Sequence, residues 1–258
     1  GRGLLAVSMT GGAERRLAGA EREIAWLAFA FDDVERAEAG VRDPASFAAT
    51  LARYDVLHFA GHTEYDDRFP WRSGIDVGAA ETADAIDQPP VPPATGARSG
   101  RSLLRAETIA ATPLSARLVV LSSCGTATGR ILAGEGLAGL STAFLAGGAR
   151  TVVASLWAVD DRATEVLMRE FYRALGAGRN ASAALRLAQN RVRRNREMRH
   201  PFYWAGFVLV GDGGVTLPLE PTPAWRRLLR GDRLGDRPGE PSGPGPAAPL
   251  ASTPPRGL

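Results

Sequence analysis

The stretch RLVVLSSCGT, residues 117–126, decides the fold. Its four consecutive aliphatic residues, Leu118, Val119, Val120 and Leu121, show no alternation with polar ones, so both faces are predicted to be covered, as in a parallel sheet. The run gives way to Ser122 and Ser123 and then to Cys124, the single cysteine in 258 residues. An earlier stretch, YDVLHFAGH at residues 54–62, is built the same way and ends on Gly61 and His62. Two buried strands that each end on a chemically competent side chain predict a thiol and an imidazole on neighbouring strand ends, where ligands collect in open parallel sheets.

Working outward, strands are expected at 4–7, 55–60, 117–122, 150–156 and 207–210, with a short edge strand at 32–37. Helices are expected between them: about 13–29, from Pro44 to about Tyr54 with Asp43 as N-cap, 103–110, 135–145, about 162–175 after Asp160 or Asp161, and 183–197 after Asn180 or Ser182. A hairpin is expected at 71–77. Strands alternating with helices predict a mainly parallel sheet covered on both faces, the α/β class. Residues 1–217 read as one domain, interrupted by a mobile loop at about 79–101 whose stretch 88–100 holds four prolines and two glycines. Residues 218–258, with ten prolines, read as a disordered tail in which Trp225, Leu228 and Leu229 form a short docking helix.

The bulk numbers exclude several classes. No apolar run reaches the roughly 20 residues of a membrane-spanning helix, and the first residues lack a signal pattern, so a cytoplasmic protein with no membrane partner is expected. A lone cysteine rules out an intramolecular disulfide framework. The formal charge is +3 and all 31 basic residues are arginine. The densest run, Arg191 to Arg199, reads as a solvated helix face rather than a nucleic-acid surface, because no aromatic residues interleave with it. Three scattered histidines and one cysteine give no metal-ligand spacing, and Gly134 and Gly136 precede no Lys-Ser or Lys-Thr pair, so neither a metal nor another cofactor is expected. A first residue of Gly rather than Met is read as the start of a fragment or processed form.

A thiol of ordinary pKa near 8.5 is only a few per cent thiolate at neutral pH, so an imidazole that takes its proton during attack raises its reactivity. The backbone N–H of Cys124, with that of Thr63 or Gly125, would bind the developing oxyanion, completing an amide hydrolase. A lone cysteine can also be a small core hydrophobe; placement beyond the apolar run, among Ser122, Ser123, Gly125 and Thr126, favours chemistry. His58, inside its strand, reads as a hydrogen-bonded core histidine, and His200 before Pro201 as structural. Asp160 and Asp161 follow a strand exit and would either select a basic side chain or cap the next helix. Trp157 would either wall that pocket or fill core.

The stretches YDVLHFAGH, LVVLSSCGT, GLSTAFLAGGARTVVASLWAVDD and HPFYWAGFVLVGD, in this order between residues 4 and 212 and with WRSG at 71–74, resemble the CHAT domain, a caspase-like cysteine peptidase module. The resemblance implies a three-layer α/β/α caspase-like fold with a mainly parallel six-stranded sheet. It implies His62 as general base and acid, Cys124 as nucleophile, a protein or peptide substrate, and control by a sensor or repeat domain outside this stretch. It also implies a setting in bacterial defence or cell death. Caspases proper are a poorer match, since Ser122 and Ser123 stand where their signature has Gln-Ala. Thr63 stands where the family carries a very small residue, and Gly125 where it carries an acidic or polar one. Two other readings keep the fold: a silent protein-binding scaffold, and a hydrolase of small-molecule amides.

Overall fold

The computed structural model describes residues 2–9, 18–38, 43–66, 68–78, 102–123 and 135–223. A six-stranded sheet runs in the order β2 (Val34–Glu38), β1 (Arg2–Met9), β3 (Tyr54–Gly61), β7 (Leu118–Ser123), β8 (Thr151–Ser155), β9 (Phe207–Gly211). The first five are parallel and β9 closes the edge antiparallel to β8. The chain steps outward from β1 to β2 and returns past β1 to β3, which reverses the winding there and moves helices to both faces.

Side-chain alternation divides the core in two. Leu4, Ala6, Val56, Ala60, Leu118, Val120 and Val153 face one layer, covered by α1 (Ala18–Ala30), α5 (Asp161–Gly176) and α6 (Ala181–Arg194). Leu5, Val7, Leu57, Phe59, Val119, Leu121, Val152 and Ala154 face the other, covered by α2 (Pro44–Leu51), α3 (Ala106–Ala110) and α4 (Glu135–Ala146). The continuous apolar runs are thus buried on both sides, and this is the three-layer α/β/α fold expected. Phe59 of β3 meets Phe144 of α4 with ring centroids 5.6 Å apart, a contact that contributes about 0.5–1.5 kcal/mol beyond its buried area.

The helix starts follow cap chemistry. Asp43 accepts from the N–H groups of Ala45 and Ser46 ahead of Pro44, Asp160 accepts from Ala163 N, and Asn180 from Ala183 N. Asp43 is held below the ordinary carboxylate range first by the Ser46 hydroxyl and then by the Ala45 N–H.

Two expectations are corrected. Residues 103–110 are not one helix: Leu103–Arg105 is a strand, β6, and the helix begins only at Ala106. Nor do residues 71–77 fold back as a hairpin: Pro70–Arg72 is one 3₁₀ turn and Gly74–Asp76 a single strand, β5, laid between β6 and β4 (Thr63–Glu64) in a second, antiparallel sheet. In both cases a ladder partner distant in sequence overrides a local preference. The packed body continues past Leu217, with Leu219 and Thr222 buried and Pro221 bridged to Phe31. The expected loop at 79–101 and the chain beyond Pro223 lie outside the described residues.

Candidate active site

The strand-end crevice is built by register. β3 and β7 pair in parallel from Val56 with Leu118 to Gly61 with Ser123, so the residues immediately preceding His62 and Cys124 are direct neighbours on one edge of the sheet. Gly61 turns the chain out of β3 with a φ of +148°, a geometry that side-chain-bearing residues rarely adopt. His62 follows, half-buried, and its carbonyl accepts the Asp76 N–H at 3.1 Å, so the second sheet is stitched on directly after the histidine. Thr63 pairs with Ile75 and its side chain is buried. Cys124 and Gly125 lie outside the described residues.

Beneath this edge sits a polar cluster inside the apolar layer. Glu23 of α1 is 3% exposed and His58 of β3 fully buried. Ser122 Oγ donates to Glu23 Oε2 at 2.9 Å, and Glu23 Oε1 lies 3.1 Å from His58 Nε2, within ion-pair range though out of line for a hydrogen bond. On the other side of the ring, His58 Nδ1 is 3.0 Å from the Tyr172 hydroxyl of α5. Burial, and then the field of Glu23, push the Tyr172 phenol well above its ordinary range. One carboxylate therefore ties α1 to both strands that lead to the crevice, and Ser122 is two residues from Cys124.

The other candidate residues are placed as follows. Asp160 is exposed at the N-terminus of α5 and makes the cap bond to Ala163 N at 2.9 Å. Asp161 is exposed too and lies against Gly19 in the first turn of α1, where an added Cβ would come within 3.1 Å of the aspartate Cβ and Cγ. Both leave the same edge of the sheet as His62, because β8 runs parallel to β7. Trp157 is drawn toward β9: its indole N–H donates to Phe202 O at 3.0 Å, and its ring presses on Gly206. No three His, Cys, Asp or Glu side chains cluster as a metal site among the described residues.

Sequence reasoning identified His58 as a core histidine but missed Glu23 as its partner. The signal was present: Glu23 falls on the helical stripe of Ala20, Ile24 and Leu27, where an unpaired carboxylate could not be buried. The stripe demanded a partner, and the nearest buried cation-capable group was His58.

The fold is that of a caspase-like α/β protein. More narrowly, the model of the CHAT domain matches residues 4–212, and the chain belongs to that family. Among curated proteins it is similar to tetratricopeptide repeat protein 28. The mouse protein is 45% identical over 98 residues, 38% of this chain and 4% of the relative. The human protein is 31% identical over 179 residues, 63% of this chain and 7% of the relative. The chain thus spans a small part of the relatives it matches. Among solved structures, the Arg specific cysteine proteinase gingipain R shares the fold with a TM-score of 0.51 at 10% identity, over 83% of this chain and 47% of that one. The Saccharomyces cerevisiae separase–securin complex matches with a TM-score of 0.48 at 13% identity, over 81% of this chain and 12% of that one. No helix among the described residues is long and apolar enough to cross a membrane.

Proposed function

We propose that this domain is a cysteine endopeptidase of the CHAT type. The observation that carries the reading is the pairing of Gly61 with Ser123, which brings the chain to His62 and to Cys124 from adjacent strands on one edge. In the proposed reaction Cys124 Sγ attacks the peptide carbonyl carbon while His62 takes the thiol proton. Collapse of the tetrahedral intermediate expels the amine, which receives that proton, and leaves a thioester. Water, deprotonated by His62, then releases the carboxylate and restores the thiol. Backbone N–H groups of Cys124 and of Thr63 or Gly125 hold the oxyanion.

Repeat-protein relatives support control by a repeat or sensor domain outside this stretch. A cytoplasmic setting, a protein substrate and an output in defence or cell death belong to the same proposal, as does selection of a basic residue by Asp160 or Asp161 with Trp157 beside them. The scaffold reading is the rival; the relatives are named for their repeats.

Alkylation of Cys124 by iodoacetamide separates the two. Activation by His62 makes native labelling at least about tenfold faster than in His62→Ala; equal rates leave only the scaffold. Digestion of a peptide library, with Cys124→Ala as control, then distinguishes protein cleavage from small-molecule hydrolysis.

A further inference from the structure

On the layer of α3 and α4, the 3₁₀ turn Pro70–Arg72 lies across the seam between the two helices. Gly139 permits the approach, because a Cβ there would stand 2.7 Å from Pro70 O. The seam holds an open cavity of about 440 Å³, floored by Ala106, Ala110, Ala143 and Ala146 and walled by Trp71, with Glu107 as its acidic point. Trp71 is 53% exposed.

Exposed arginines adjoin the lining residues in sequence: Arg72 follows Trp71 and Arg105 precedes Ala106. The Phe69 ring packs with the guanidinium groups of Arg68 and Arg72, 5.3 and 4.6 Å from its centroid, and its centroid is 5.3 Å from that of the Trp71 ring. Arg105 donates from Nη1 to Arg72 O at 3.1 Å, which holds the third guanidinium against the backbone of the 3₁₀ turn. None of these three arginines meets a carboxylate among the described residues, whereas Arg162, Arg169 and Arg173 of α5 are each ion-paired. Trp and Arg dominate binding hot spots because they bury large area at low entropic cost and form directed bonds. Here Trp71 walls, and Arg72 and Arg105 adjoin, a floor of methyl groups large enough for an apolar side chain.

We propose that this cavity docks an acidic, amphipathic helical segment of a partner protein. One large apolar side chain fills the floor beside Trp71, and carboxylates meet Arg68, Arg72 and Arg105. A groove between two helices accepts a third by ridge-into-groove packing. Within this chain, the acidic stretch ETADAID at 81–87 offers only Ile86 as a large apolar residue, too few for a stripe at i, i+3, i+4 and i+7, and charge decides against the C-terminal stretch. The stretch AWRRLLR at 224–230 carries Arg226, Arg227 and Arg230 and would bring like charge to these arginines. A two-fold dimer through this face would set the same arginines against their copies. The apolar floor offers a phosphate backbone nothing.

The test uses the full chain and a fluorescein-labelled peptide of about sixteen residues, with Leu at i, i+3, i+4 and i+7 and Glu elsewhere, long enough to hold helix when bound. Anisotropy is read at physiological ionic strength. The expected result is saturable binding, weakened about tenfold or more by Trp71→Ala and by Arg72→Glu, and lost when Lys replaces Glu in the peptide. Both substituted side chains are exposed, and unchanged thermal melts verify that the variants fold. Absence of binding, equal binding of the Lys peptide, or indifference to both substitutions overturns the proposal. So does tighter binding of a labelled single-stranded RNA that competes at the same site, or concentration-dependent dimerisation abolished by Arg72→Glu. The outcome is independent of Cys124, so it stands or falls apart from the peptidase reading.

Discussion

Glu23→Ala is expected to be among the most damaging single changes in the molecule. The substitution strands the Ser122 hydroxyl and removes the carboxylate that stands 3.1 Å from the His58 ring, in a layer where both residues are buried. A hydrogen bond to a charged group contributes about 1.5–3 kcal/mol, and a buried donor left unmet costs about 1–3 kcal/mol more. Their sum is about 2.5–6 kcal/mol. Against a stability of about 5–15 kcal/mol, the loss would lower the melting temperature by roughly 5–24 °C for a domain of this size. Urea and thermal denaturation measure it. The same physics predicts the opposite sign of coupling for a joint replacement. Glu23→Leu with His58→Leu, Ser122→Ala and Tyr172→Phe leaves no polar group without a partner and should be more stable than Glu23→Ala alone. A loss below about 1 kcal/mol for Glu23→Ala, or a fourfold variant less stable than the single one, would refute the assignment of Glu23 as the group that holds the cluster together.

Two further outcomes follow from the same structure. Because Tyr172 titrates higher when folded than its ordinary 10.0, the unfolded chain ionises first as pH rises past that value. Stability contributed by the protonated phenol is complete below pH 10 and drains above it, by about 1.4 kcal/mol per pH unit. Chemical denaturation between pH 10 and 11.5 should show a shallower slope in Tyr172→Phe, and identical slopes would contradict the burial argument. At Asp160, the cap and the proposed pocket charge separate cleanly. Asp160→Asn keeps an acceptor for Ala163 N and should melt like the wild type, whereas Asp160→Ala should lose about 0.5–2 kcal/mol. If Asp160 also selects a basic residue, both variants lose that preference in the peptide-library digest; if it is only a cap, neither does.

How far the sequence revealed this molecule depends on the range of the forces involved. The central strands were legible because burial on both faces leaves a mark at every position: Leu118 to Leu121 cannot be solvated anywhere, and the register follows from where such runs begin and end. Helix starts were legible at Asp43 and Asn180 because a cap is a contact between neighbours in sequence. The second sheet was not. Leu103, Leu104 and Arg105 carry no strand signal of their own and become β6 only because β5 supplies a ladder. Tertiary pairing of this kind writes nothing local into the chain.

The cluster at Glu23 shows the intermediate case, where the sequence poses a question that only the fold answers. Glu23 on an apolar stripe and His58 inside a buried strand are each anomalous alone, since a buried ionisable group without a partner costs more than the domain can spare. Two such anomalies in one chain imply each other, and α1 lying against β3 brings them to 3.1 Å. Ser122 adds the third strand of the argument, because its hydroxyl fixes the last turn of β7 before Cys124 to the same carboxylate. The polar cluster thus couples the stability of the helical layer to the placement of the edge on which the proposed chemistry depends. A change in Glu23 that leaves the fold standing but shifts β7 should slow labelling of Cys124, while a change that only lowers the melting temperature should leave the native labelling rate as it was.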